Sequence, residues 1–171
     1  MPKKSGFTVL ELIVCLIIIS VVATTAMIKF MEIQADARAS KIREVAANLR
    51  YGIDVIHTKS ILAGVEKECD YTIKTEVESY FVCFGYPIAY IDSIRRLMNM
   101  PKSKNDDPSY RLDVKNIDIH KKHPSTTNSN ELVAAIHFVN QSYTFFPEDG
   151  YCQVLYQPER EPQIVVLDSA C

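Results

Sequence analysis

From Phe7 to Ile28 the chain is apolar on every side, and Glu11 is its one charged residue. The run is 22 residues long. At roughly 1.5 Å per residue it forms a helix of about 33 Å, enough to cross a bilayer. A charge inside a bilayer costs about 3 kcal/mol on insertion scales, so Glu11 marks a function rather than an accident. Past Lys29 the pattern turns amphipathic. Phe30, Ile33, Ala37, Ile42, Val45, Ala46, Leu49, Ile53 and Ile56 recur near helical spacing, while Arg38, Lys41, Arg43, Glu44 and Arg50 fall on other faces. No Pro or Gly occurs between Phe7 and Tyr51. One helix is therefore predicted, bent at Gly52 and stopped at Gly64. Some 55 residues of helix reach about 80 Å.

Beyond Gly64 the elements become short. Tyr71 to Phe84, rich in β-branched and aromatic residues, reads as strand-like. Ile91, Ile94, Leu97 and Met98 predict a short helix over Ala89–Asn99. Strands are expected at Tyr110–Val114, Glu131–Asn140, Tyr143–Phe146, Tyr151–Tyr156 and Gln163–Asp168. Loops are expected at Pro101–Pro108 and Lys121–Asn130, and Pro158–Pro162 reads as a hairpin loop that brings Cys152 near Cys171. The whole is α+β: a long N-terminal helix packed against a C-terminal antiparallel β-sheet head.

A short cationic leader precedes the apolar run. Lys3 and Lys4 keep it cytoplasmic by the positive-inside rule and place the rest of the chain outside. A secretory signal would instead have a shorter apolar core, with its small-residue cleavage site after that core. Here the small residue, Gly6, comes first, and Ala23-Thr24-Thr25-Ala26 is a poor late site.

The string Gly6-Phe7-Thr8-Val9-Leu10-Glu11 resembles the processing site of type IV pilins and the related pseudopilins of type II secretion. The resemblance implies cleavage by a prepilin peptidase between Gly6 and Phe7, N-methylation of Phe7, and assembly into a homopolymer by machinery in the inner membrane. It implies that Glu11 pairs with the free amine of another subunit's Phe7. That pairing removes the cost of an unpartnered charge in lipid, so it favours the filament over the lone protomer. The expected segments are 1–6 leader, 7–28 membrane and filament-core helix, 29–62 amphipathic half-helix and 63–171 head. The expected path runs from the inner membrane of a Gram-negative cell to a surface filament that mediates attachment and biofilm formation.

Asp36-Ala37-Arg38-Ala39-Ser40, Ile61-Leu62-Ala63-Gly64-Val65-Glu66, Gly85-Tyr86-Pro87 and Tyr151-Cys152-Gln153-Val154 resemble the mannose-sensitive haemagglutinin (MSHA) branch of those pilins. In that branch a disulfide closes the last hairpin of the head. Ile28 stands where such pilins commonly carry a proline, and the segment Arg95–Asn130 falls outside the resemblance.

Five cysteines are present. Cys15 lies in the apolar run, and the other four lie in the part expected to be oxidising. Four cysteines allow three connectivities. Cys69–Cys83 and Cys152–Cys171 are favoured because each closes a short loop around strand-like segments. With no CxxC spacing a metal site is disfavoured. In His120-Lys121-Lys122-His123 the lysines would repel a cation, and Glu148-Asp149-Gly150 lacks the alternating acids of a calcium loop.

The chain has 19 basic and 21 acidic residues, a formal net charge of −2. Loss of Lys3 and Lys4 with the leader takes this to −4. That is no nucleic-acid footprint. No GxSxG, HExxH or P-loop occurs, so no enzyme and no cofactor is expected. Two rivals to a major filament subunit stand: a minor pilin or pseudopilin that primes or tips a filament, and a membrane-anchored binding protein that never polymerises.

Overall fold

The computed structural model describes residues 8–69, 71–76, 78–100, 112–118 and 132–171. Helix α1 (Val9–Leu62) is unbroken over 54 residues, and among the described residues it is followed by short strands and one short helix. The α+β arrangement expected from the sequence is the one observed. Two compact units meet within α1, the first ending at Ala37 and the second running from Arg38 to Cys171.

Both ends of α1 follow from local chemistry. Thr8 and Glu11 cap the start, as described below. At the other end Gly64 adopts φ +68°, Val65 N donates to Ser60 O and Gly64 N to Ile61 O, each at 3.0 Å. This pair of bonds is a Schellman stop, and glycine takes the left-handed position without a Cβ penalty. Val65 is buried in the same apolar cluster as Ile56.

In the second unit α1 buries one stripe: Ile42, Val45, Ala46, Leu49, Ile53 and Ile56. Phe30 and Ile33, assigned to the same stripe from their spacing, are 60% and 63% exposed. The core begins at Ile42, although the helical period begins earlier. Gly52 does not interrupt the helix. Its missing side chain lets Leu97 approach so closely that a Cβ there would lie 3.2 Å from Leu97 Cδ2. The glycine serves a helix contact, not a bend.

Among the described residues the antiparallel strands form two sheets. β1 (Tyr71–Lys74), β2 (Ser79–Cys83) and β3 (Tyr86–Pro87) form one antiparallel sheet. The expected strand over Tyr71–Phe84 is thus two strands, because Thr75 turns the chain. Its amide and hydroxyl both donate to Glu78 O at 2.8 Å, and Glu78 N donates back to Thr75 Oγ1 at 3.0 Å. Phe84 and Gly85, at φ 50° and 82°, then form a two-residue hairpin into β3. Positive φ at both central residues suits the strand twist. A Cβ on Gly85 would also sit 2.9 Å from His57 Nδ1, and the Gly85 carbonyl accepts from Ser60 Oγ of α1 at 3.0 Å.

After α2 (Ile91–Leu97), the strands β4 (Leu112–Asp118), β5 (Leu132–Phe138), β6 (Gln153–Tyr156) and β7 (Ile164–Leu167) form an antiparallel meander. The expected strands at 110–114, 131–140, 151–156 and 163–168 correspond to these four, with β4 reaching further and the others shorter; residues 110 and 111 lie outside the described set. Val114, Leu132, Ala134, Ile136, Val154 and Tyr156 face the α1 stripe. Val133, Ala135, Leu155 and Leu167 face the other way, under Phe145 and Tyr151. β5 is therefore buried on both faces, which accounts for its nearly unbroken apolar text LVAAIHF.

The expected strand at Tyr143–Phe146 is absent. This stretch is irregular and covers the outer face of the meander. Its backbone finds a side chain instead of a strand: Thr144 N donates to Gln153 Oε1 at 2.9 Å, and Gln153 Nε2 donates to Thr144 O at 2.7 Å. The fully buried amide of Gln153 takes both ladder bonds that a neighbouring strand would have made.

Candidate assembly segment

Among the described residues α1 is the one helix long and apolar enough to span a membrane. Every side chain from Val9 to Gln34 is exposed within the chain itself. Even the best covered of its large apolar groups, Val14, is 48% exposed. Such a surface needs either lipid or other protein around it.

The polar groups in this segment are satisfied by the helix. Ser20 Oγ donates to Leu16 O at 2.7 Å. Thr24 Oγ1 bonds Val21 O and Thr25 Oγ1 bonds Val22 O, both at 2.9 Å. Back-bonding of this kind removes the cost of a hydroxyl in hydrocarbon. The rival cleavage site at Thr24-Thr25 is a run of hydroxyls turned onto the helix backbone. α1 also passes through Ile28 without interruption, and Lys29 pairs with Glu32 at 2.7 Å just beyond.

At the helix start Thr8 and Glu11 form a reciprocal pair. Thr8 N and Thr8 Oγ1 each donate to Glu11 Oε2 at 3.0 Å, and Glu11 N donates to Thr8 Oγ1 at 3.3 Å. This is a capping box, T-x-x-E, which satisfies the amides of Thr8 and Glu11 and places a carboxylate at the positive end of the helix dipole. Reading the sequence for charge alone missed Thr8; the T-x-x-E spacing was the available signal. Glu11 Oε1 accepts no hydrogen bond among the described residues and is exposed. Gly6 and Phe7, the expected processing residues, lie outside the described residues.

The model of the prokaryotic N-terminal methylation motif matches residues 1–27. The chain carries a prepilin-type N-terminus. That motif implies processing by a prepilin peptidase and, in general, assembly into filaments. Together with the apolar helix it fits a membrane-anchored prepilin that passes into a surface filament. No curated protein and no solved structure matches the chain.

In the head of this prepilin-type chain, Cys69 bonds Cys83 and Cys152 bonds Cys171. Cys15 is free and exposed on the apolar helix. The first bridge ties the loop after α1 to the end of β2, and the second ties the residue just before β6 to Cys171. Arg43 of α1 pairs with Asp168 at 2.6 Å, which holds the helix to the same C-terminal segment.

The aromatic residues divide between core and surface. Tyr156 is fully buried and donates to Pro87 O at 2.6 Å, which joins the two sheets. Burial drives its phenol pKa far up, so it stays a neutral donor. Phe81 and Tyr90 are about half exposed and flank a cleft of about 410 Å³ that also carries Asp92, Arg96 and Asn116. Residues far apart in sequence build this cleft, so nothing in the linear text marks it. The His120–His123 string lies outside the described residues.

Proposed function

We propose that the mature chain is a structural subunit of a type IV pilus-like filament. The leader ends at Gly6, and Phe7 becomes the methylated N-terminus. Residues 7–28 pass from the bilayer into a filament core of packed helices, and residues 63–171 are displayed outside. The observation that carries this reading is an apolar helix exposed all round, headed by the methylation motif and by an acid whose Oε1 accepts no hydrogen bond among the described residues. In the polymer, Glu11 Oε1 receives the amine of a neighbouring Phe7, while Oε2 keeps its bonds to Thr8. Resemblance to the MSHA branch in Gly85-Tyr86-Pro87 and in the closing Cys152–Cys171 hairpin favours a pilus over a secretion pseudopilus. The exposed aromatic cleft at Phe81 and Tyr90 gives the head a surface for attachment and biofilm formation.

The test is the mass of the mature N-terminus, combined with electron microscopy and subunit quantification of sheared surface filaments. Methylated Phe7 in an abundant filament protein supports the reading. A trace amount in filaments assigns the chain to the minor pilins. A processed chain absent from every filament leaves a membrane-anchored binding protein, and an intact Met1 overturns the reading at its first step.

A further inference from the structure

The last turn of α1 and strand β1 enclose an open groove of about 560 Å³. Leu62 at its rim is 82% exposed, and Tyr71 is 40% exposed. Lys59 and Lys74 stand on its two walls. Among the described residues neither lysine pairs with an acid, and β1 pairs with no strand but β2. The groove is thus apolar at its mouth, doubly cationic and bordered by an unpaired strand edge, a surface open to a partner.

The head carries a matching surface elsewhere. Between β5 and β6, Phe146 is 44% exposed and is followed closely by Glu148 and Asp149, both exposed and without an ion pair among the described residues. Among the described residues no other exposed aromatic has two unpaired acids within three positions. Gly150 N donates to Ser169 Oγ at 3.0 Å, which ties the end of this projection to the C-terminal segment. No hydrogen bond or ion pair joins the projection to the groove within one chain.

We infer that the groove of one copy receives the Phe146–Asp149 projection of a second copy, with Phe146 against Leu62 and Tyr71 and the two acids facing Lys59 and Lys74. The contact uses two different patches of the same chain. A heterologous contact of that kind leaves one patch free at each end, so it propagates as a ring or an open helix rather than closing a two-fold dimer, and only the open helix is compatible with the proposed filament. Like charges oppose groove-to-groove and projection-to-projection pairing, so the charges set the polarity of the contact. The inference rests on the proposed filament and adds a second bond between subunits, outside the helical core.

The experiment uses full-length chains in cells, co-expressing differently tagged Leu62→Cys and Phe146→Cys copies, both carrying Cys15→Ser so that the free thiol of the apolar helix takes no part, treated with a short bismaleimide. A cross-link between the two variants in filaments or membranes, with no cross-link of either variant to itself, is the expected result. The charge variants give an independent readout. Lys59→Glu/Lys74→Glu and Glu148→Lys/Asp149→Lys should each lower sheared filament yield several-fold, and co-expression of the two should restore most of it. Cross-linking confined to like variants, or no cross-linking, overturns the contact. So does a loss of yield that co-expression fails to restore, the result expected if the groove serves an acidic partner of another sequence. If the cross-link forms in membranes while microscopy finds no filament, the filament reading fails and the contact stands.

Discussion

The carbonyl of Pro87 accepts a 2.6 Å hydrogen bond from the phenol of Tyr156, 69 residues further along the chain. It is a buried polar contact that links β3 to the meander. The phenol of Tyr156 ordinarily titrates at 10.0, and burial holds it well above that value in the fold. The folded chain therefore binds this proton more tightly than the unfolded chain. Its contribution is complete below about pH 10 and falls as pH rises beyond that, where the unfolded phenol ionises and the folded one does not. Tyr80, raised by burial and by Glu78, acts in the same direction. Urea midpoints should drop on going from about pH 9 to about pH 11. Tyr156→Phe should lose about 1–3 kcal/mol at neutral pH by stranding the Pro87 carbonyl, and should show a shallower alkaline fall. An equal slope in the variant would count against this account.

Gln153 is the second buried polar link. Gln153→Leu keeps most of the volume but strands Thr144 N and Thr144 O, two backbone groups in a dry site. A loss of about 2–4 kcal/mol is expected in denaturant unfolding. Amide exchange at Thr144 should accelerate with it, since the segment over the outer sheet face loses its anchor. Unchanged exchange would mean that apolar contacts of Phe145 and Tyr151 hold the segment unaided.

The two disulfides close loops of 14 and 19 residues. Loops of that size contribute about 3 kcal/mol each in the chain-entropy account. Cys152→Ser/Cys171→Ser should therefore cost about 3 kcal/mol, read as a lower thermal midpoint in the absence of reductant. Addition of reductant to the native chain should cost more than that variant does, because both clips open.

At the other end of the molecule, the capping box allows charge and cap to be separated. Glu11→Gln retains an acceptor suited to the box and removes the charge. Glu11→Ala removes both, at about 1 kcal/mol of helix stability. Leader removal, followed by mass, should persist in both variants, and filament yield should collapse in both if the charge is what neighbours recognise. Normal yield from Glu11→Gln would reduce Glu11 to a cap. Thr8→Ser should behave as the native chain, and Thr8→Val should lose yield through a disordered Glu11.

The long helix, its Gly64 stop and the meander were legible in the sequence because each rests on local signals: apolar period, a left-handed glycine and runs of β-branched residues. The failures are equally physical. Gly52 carries the same letter whether it bends a helix or admits Leu97, and only the neighbour decides. Tyr143–Phe146 has strand composition, but the amide of Gln153 took its hydrogen bonds. Phe30 and Ile33 keep the helical period of the buried stripe, yet the core starts at Ile42. At the assembly segment the acid was legible and its partner Thr8 was not, since attention to charge passes over a hydroxyl three residues away. The Phe81–Tyr90 cleft exists only once two sheets and α2 meet.

The hydroxyls of Ser20, Thr24 and Thr25 bear on how this helix changes its surroundings. Each is bonded to a carbonyl of its own helix, so replacing lipid neighbours by protein neighbours breaks none of those bonds. Glu11 Oε1 is then the one side-chain oxygen between Thr8 and Ile28 that can tell the two media apart. A segment of more than twenty residues is left with a single polar atom as its sense of whether it has neighbours of its own kind.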